Sequence, residues 1–391
     1  MEAIAKGTEI VCVHEGFKSL AKEVKREIAA GKVAVFAREG REMEDAVAAL
    51  ALEGFSVVRR AVSPRCLMHY GFNAEEGVPE AVRAAVGVGG AAEMELSKAF
   101  ASTRNMRTFL FPTDLSALCA LKRGAEFSTE SQLLSLRSED CVTLLDASLL
   151  QGAKGVKSGM GYLAARITEV LDGAFCRLLE QGESPSEAFA LLREVSAGLK
   201  GITADNAACK IIAQTLLLER KVREKSLFTA KSATTLAFLA ARAENGGDPY
   251  EYLFPAAYAL LSLYRTYLPR TPFELCVPPD RVRTLSLLRE KCKLDASREL
   301  LRENALYAPD HMRRRRLAEE YGEDFAEQIC EEVFPLTELC RAYRRTDGKV
   351  PALSANRLLA LLSLTGEEIS EYALIKHIKL TGLLEPLIGV A

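Results

Sequence analysis

Over the first 150 residues, short runs of consecutive apolar residues alternate with segments whose apolar positions recur every three or four residues. Val33-Ala34-Val35-Phe36 reads as a strand buried on both faces, and Glu42 to Leu52 as an amphipathic helix ending before Gly54. Phe55-Ser56-Val57-Val58 reads as the next strand. Pro79 to Ala84 reads as a short helix feeding a strand from Ala85 to Val88, with further strands at Thr108 to Phe111 and Val142 to Leu145. Strand–helix alternation of this kind predicts a parallel sheet covered by helices on both faces.

Beyond residue 150 the strand pattern stops. Gly161 to Leu179, Ser186 to Leu199, Ala204 to Val222, Ser232 to Ala243 and Glu251 to Tyr267 all carry helical apolar spacing. Pro185 and the Gly246-Gly247-Asp248-Pro249 turn separate some of them, and Asp205 stands where it would cap the third. Pro269, Pro272, Pro278 and Pro279 mark a loop before more helices. The expected architecture is therefore an α/β Rossmann-like parallel-sheet domain over residues 1–150, followed by an all-α helical domain over 151–391.

One segment suggests chemistry. The run Ala85-Val86-Gly87-Val88-Gly89-Gly90-Ala91-Ala92-Glu93 takes an apolar strand into glycines and straight into a helix, and the strand after it ends in Phe111-Pro112-Thr113. Free backbone N–H groups and the dipole at such a helix N-terminus favour an anion, so this is a candidate phosphate cradle.

Composition narrows the class. A chain of 391 residues has room for two substantial cores, and 49% hydrophobic with 27% charged residues is the balance of a folded globular protein. A net charge of −2 gives no global field for nucleic acid or an anionic membrane surface. The run Arg313-Arg314-Arg315-Arg316 sits among Glu319, Glu320, Glu323 and Asp324 and reads as a solvated helix face. No apolar stretch approaches the roughly 20 residues of a membrane helix, and the first residues have no secretory pattern, so a cytoplasmic location is expected. The ten cysteines are scattered without a Cys-x-x-Cys pair, which fits reduced, buried thiols.

In order and spacing, Glu15-Gly16-Phe17-Lys18-Ser19-Leu20, the strand from Val33, Gly89-Gly90, Pro112-Thr113, Leu145-Asp146 and Ser158-Gly159-Met160-Gly161 resemble one superfamily. It comprises the iron-containing alcohol dehydrogenases, glycerol-1-phosphate dehydrogenases, glycerol dehydrogenases and 3-dehydroquinate synthases, and the likeness spans about residues 8 to 270. The resemblance implies a dehydroquinate synthase-like fold, NAD or NADP in a cleft between the domains, and a homo-oligomer. It also implies a divalent metal, held by one Asp and two His, that polarises the substrate oxygen during hydride transfer.

At the ligand positions this sequence departs from the family. Tyr162 stands where the family's aspartate follows Gly-x-Gly, Thr235 stands at the first histidine, and Pro249 falls at the second. A neutral phenol is a poor ligand for a hard cation. The four histidines, His14, His69, His311 and His377, fall elsewhere. A bound metal is therefore not expected. Asp248 and Glu251 read as a helix start rather than as ligands.

The cofactor positions are partly kept. Gly89 and Gly90 remain, but Ala91 replaces a glycine, and its methyl would hold a diphosphate off the backbone. Glu95 replaces an Asp and Lys98 is retained, while Thr113 and Ser116 either contact cofactor or cap the next helix. Arg38, after the strand from Val33, either meets the 2′-phosphate of NADP or is a solvated loop residue. Tyr162, with Lys154 and Lys157 close in sequence, is a candidate proton donor; the simpler reading is that it fills the emptied metal cavity.

Three readings follow. One is a divergent dehydrogenase-fold protein, an oxidoreductase of small polyols or polyol phosphates by ancestry, that binds a nucleotide without metal-dependent hydride transfer. The second is a non-catalytic binding or scaffold protein that uses the old cleft or the helical domain. The third is an enzyme rebuilt around Tyr162, Glu251 or Lys157.

Overall fold

The computed structural model describes residues 9–266 except 69–77, 123, 129–132, 137–139, 152–154 and 244–246. Beyond 266 it describes 286, 316–317, 320–321, 323–325, 327–328, 334–345, 361–362, 365 and 373–380. The described chain divides into two compact units. The first is Met1–Tyr162 with Ala204–Glu219 and Glu244–Glu251, and the second is Leu163–Thr203, Arg220–Ala243 and Tyr252–Ala391. The boundary expected at residue 150 thus falls inside the first unit, which also takes two later segments from the stretch read as helical.

The first unit is built on a six-stranded parallel sheet in the order β1-β8-β5-β4-β2-β3. The strands are β1 (Glu9–Val13), β2 (Lys32–Ala37), β3 (Ser56–Ala61), β4 (Val82–Gly89), β5 (Arg107–Pro112) and β8 (Cys141–Asp146). A two-stranded antiparallel hairpin, β6 (Ala125–Ser128) and β7 (Leu133–Leu136), lies outside this sheet. Helices α1 (Phe17–Glu27) and α2 (Arg41–Leu52) cover one face, where Leu20, Val24, Met43 and Leu50 pack on Val33, Val35, Val86, Phe109 and Val142. The alternate residues of the strands face α3 (Ala91–Thr103), with Phe36 and Phe100 rings 5.2 Å apart. Every central strand is buried on both faces, which explains its unbroken apolar sequence.

Three expectations need correction. Val82 to Ala84 belongs to β4 rather than to a short helix, because this segment pairs with β2. Two of the seven described cysteines, Cys12 and Cys209, are exposed rather than buried. Asp205 is not adjacent to the helix it was expected to cap, which begins at Ala207.

Among the described residues no strand follows Asp146. The helices there are α4 (Ala147–Gln151), α5 (Val156–Gln181), α6 (Ser186–Leu199), α7 (Ala207–Glu224), α8 (Ser232–Ala243), α9 (Pro249–Thr266), α10 (Phe334–Arg345) and α11 (Leu374–Leu380). The core of the second unit includes Phe175, whose ring meets Tyr264, Phe325 and His377 at 6.0, 5.3 and 5.4 Å. Of the residues singled out above, Arg313–Arg315, Glu319, the proline loop, Gly246, Tyr267, His69, His311 and Lys154 lie outside the described residues.

Candidate functional site

The C-terminal edge of the sheet in the first unit carries the candidate site. From β2 the chain turns outward to β3, and from β4 it turns the other way to β5, so its direction reverses between β2 and β4. Ligands of open α/β sheets bind beyond the strand ends at such a reversal. Arg38 follows β2 here, and Gly89-Gly90 end β4 and open α3.

Backbone geometry at this turn requires glycine. Gly89 has φ +128°, and a Cβ on Gly87 would lie 2.3 Å from Ser97 Oγ and 2.9 Å from the Glu93 carbonyl oxygen. Gly87 therefore lets α3 lie close against β4, and Gly89 lets the chain turn into the helix.

The cradle amides already have partners within the chain. Gly90 N–H donates to Glu93 Oε2 at 2.9 Å, and Ala91 N–H donates to Ser116 Oγ at 3.1 Å. Glu93's own N–H also donates to its carboxylate. Ser116 is held in turn by Asp114, whose Oδ1 accepts from Ser116 N–H at 2.7 Å and from the Ser116 hydroxyl. A Cβ on Gly90 would lie 2.8 Å from Ser116 Oγ and 2.9 Å from Asp114 Oδ2, so these two side chains stand directly over the turn. Arg38, half exposed, places Nε 3.3 Å from Glu93 Oε1.

Glu93 is fully buried, and burial pushes its carboxyl up to about 7, with Asp114 adding to the rise and Arg38 and the backbone amides opposing it. Burial likewise pushes Asp248 up to about 6 against the opposing charge of Arg38. Asp248 caps α9, accepting Tyr250 N–H at 3.0 Å, as its sequence position suggested. Thr113 donates its N–H to the Gly89 carbonyl at 3.0 Å and so ties the end of β5 to that of β4.

Deeper in the unit, α3 is buried along Ala91–Ala101, including Glu95, Ser97 and Lys98. Lys98 Nζ donates to Glu95 Oε1 at 3.1 Å, to the Cys119 carbonyl at 3.1 Å and to the Gly124 carbonyl at 2.6 Å. Glu95 also accepts the Glu126 amide at 2.6 Å and the Tyr250 hydroxyl at 3.1 Å. Burial raises the Cys119 thiol and the Tyr250 hydroxyl well above their ordinary values, so both stay protonated at neutral pH.

Tyr162 is 2% exposed, and its hydroxyl donates to the buried Glu219 at 3.0 Å. Lys157 is exposed, Thr235 is buried, and Pro249 is the first residue of α9. Among the described residues no group of three or more His, Cys, Asp or Glu side chains is arranged to hold a metal ion. Tyr162, Thr235 and Pro249, the positions that the resemblance assigns to the metal ligands, carry a phenol, an aliphatic hydroxyl and no side-chain donor. Among the described residues no helix is long and apolar enough to cross a membrane.

Gly89, Gly90, Ala91, Thr113, Ser116 and Arg38, singled out in the sequence, lie together at one turn of the structure. Sequence reasoning missed Glu93, Asp114 and Asp248 as members of the same cluster. The third helical position of Glu93 was the available signal, since a carboxylate there reaches back to the amide before the helix.

The first unit is thus a doubly wound α/β domain with a glycine turn at its direction reversal. The whole chain has the fold of the glycerol dehydrogenases and iron-containing alcohol dehydrogenases. Similar solved structures include an archaeal halo-thermophilic Red Sea brine pool alcohol dehydrogenase, at 12% identity and TM-score 0.61, with 100% of this chain and 98% of that one covered. The iron-containing alcohol dehydrogenase from Thermotoga maritima gives 12% identity, TM-score 0.55 and full coverage of both chains. The glycerol dehydrogenase from Schizosaccharomyces pombe gives 13% identity and TM-score 0.52, covering 100% of this chain and 91% of that one. No family model matches the sequence, and no curated protein does.

Proposed function

We propose that this chain is a divergent dehydrogenase-fold protein, by ancestry an oxidoreductase of small polyols or polyol phosphates, in which metal-dependent hydride transfer has been lost. The observation that carries this reading is the fate of the ligand position at Tyr162. Its hydroxyl is committed to Glu219 inside the first unit, which supports a packing role rather than proton donation. The crevice at the ends of β2, β4 and β5 is the retained binding site, and NAD or NADP is the ligand class that the family resemblance suggests for it.

Titration of NADH and NADPH by their own fluorescence, with and without added zinc or ferrous iron, tests the reading. The chain has no Trp, so protein emission interferes little with the nicotinamide signal. Saturable binding unaffected by metal, with no turnover of glycerol or its phosphates, is the expected result. Metal-dependent binding or turnover would overturn it.

A second reading, a scaffold that binds no nucleotide, is favoured by the cradle amides that the chain's own side chains occupy. Absence of binding for either nucleotide would favour it.

A further inference from the structure

With the Glu93 carboxylate ionised and seated on the turn, the cradle amides of Gly90, Ala91 and Glu93 are not open to a diphosphate. Such a ligand needs the amides at the start of α3 and tolerates little negative charge beside them. Here Gly90 N–H and Glu93 N–H are directed to the Glu93 carboxylate, and Ala91 N–H to Ser116 Oγ. The carboxylate therefore stands where a phosphate oxygen would accept, and Arg38 approaches it from the end of β2 as it would approach a bound anion.

We infer that Glu93 is an internal competitor for phosphate, so that a diphosphate-bearing ligand enters this cradle only when the Glu93 carboxylate loses its charge or swings away from Gly90. This inference rests on the nucleotide-binding reading above and names the residue that regulates that site.

The facing groups give the sign of the pH effect. Arg38 from the end of β2 and Asp114 from the end of β5 face Glu93, and Asp248 from the start of α9 faces Arg38 and Asp114. Arg38 is the cation of this set, and a bound diphosphate would need it. Ionised Glu93 therefore opposes the ligand twice, by repulsion and by holding Arg38. With the Glu93 carboxyl at about 7, its neutral fraction falls about tenfold between pH 6 and pH 8. Apparent affinity falls by the same factor if only the neutral form admits the ligand. A dinucleotide's diphosphate does not itself titrate in this range.

The test compares the wild-type 391-residue chain with Glu93→Gln, a variant of the same shape that cannot ionise. NADH is titrated at pH 6 and pH 8, and inorganic pyrophosphate is titrated by calorimetry at pH 8 alone. In the wild type, NADH affinity is expected to weaken about tenfold from pH 6 to pH 8. In E93Q that step is expected to shrink below about threefold, with pyrophosphate bound about tenfold more tightly than by the wild type at pH 8. Equal pyrophosphate binding by the two proteins, or an undiminished NADH pH step in E93Q, overturns the role of Glu93 even where NADH binds well. Tighter pyrophosphate binding by E93Q, with no NADH binding by either protein, supports the role of Glu93 and overturns the nucleotide reading alone.

Discussion

Replacing Lys98 by Met removes the cation at the centre of a buried polar network. Lys98 Nζ has three acceptors, Glu95 Oε1 and the carbonyls of Cys119 and Gly124, and the side chain is fully buried. A methionine of similar length fills the space but leaves two buried carbonyls without this donor and weakens the compensation of the Glu95 charge. Removing one partner of a buried ion pair costs about 3–5 kcal/mol. Lys122 stays 3.8 Å from Glu95, and Tyr250 and the Glu126 amide still donate to it, so the lower end of that range is expected. Urea unfolding followed by far-UV circular dichroism measures the loss, and hydrogen exchange of the α3 amides reports on the first unit specifically. The double variant Glu95→Gln with Lys98→Met should lose less than the sum of the two single losses by at least about 1 kcal/mol, because it removes both charges. A K98M loss below about 1 kcal/mol, or strict additivity, would refute the claim that this pair is a coupled buried unit.

Three other perturbations probe separate parts of the chain. In the second unit, Asp172 accepts hydrogen bonds from Ser232 and Tyr264, and burial pushes it up to about 6 from 3.8, so its contribution is complete below pH 4 and falls by about 3 kcal/mol as pH rises to 6. Burial lowers His377 to about 4 from 6.5, which acts the opposite way over nearly the same range, so the two largely offset each other in the wild type. Denaturation midpoints at pH 4.5 and 7 should show D172N losing more stability toward acid than the wild type; parallel changes in the two proteins would contradict this. Gly173→Ala places a Cβ 2.0 Å from the Phe228 carbonyl oxygen and should destabilise by about 1–3 kcal/mol or more, seen as a lower thermal midpoint or loss of soluble protein. Tyr162→Phe should cost about 1–3 kcal/mol by removing a donor to buried Glu219 while leaving NADH affinity unchanged; weakened binding would return Tyr162 to the ligand site.

The legible parts of the fold were those fixed by local pattern. Ser186–Leu199 and Ser232–Ala243 match their helical spacing end to end, and the buried strands match their apolar runs within a residue or two. Misreadings came where a distant partner decided the outcome. Val82 to Ala84 is extended because β2 pairs with it, and the β6–β7 hairpin carries no alternation strong enough to announce it. The buried character of α3 was hidden by Glu93, Glu95, Ser97 and Lys98, four polar residues that look like a solvent face until their partners at positions 38, 119, 124 and 126 are known.

The same limit governs the site. A glycine turn before a helix specifies backbone shape, but whether its amides are available depends on the residue three positions into the helix and on the end of the next strand. In this chain acidic side chains recur along that edge of the sheet. Glu93 closes the end of β4, Asp114 that of β5, and Asp146 that of β8, where it accepts Gly16 N–H at 3.0 Å and Ser148 N–H at 3.0 Å. Burial alone would raise Asp146, but the hydrogen bonds from Ser148, Gly16 and Leu149 outweigh it and hold its carboxyl below the usual range. Each carboxylate satisfies N–H groups that an anionic ligand would otherwise claim, and Arg38 is paired to Glu93. The glycines thus give the turn the shape of a phosphate cradle while side chains of the chain itself occupy its amides. That is why the charge at Glu93, more than the methyl at Ala91, should set what the crevice can hold.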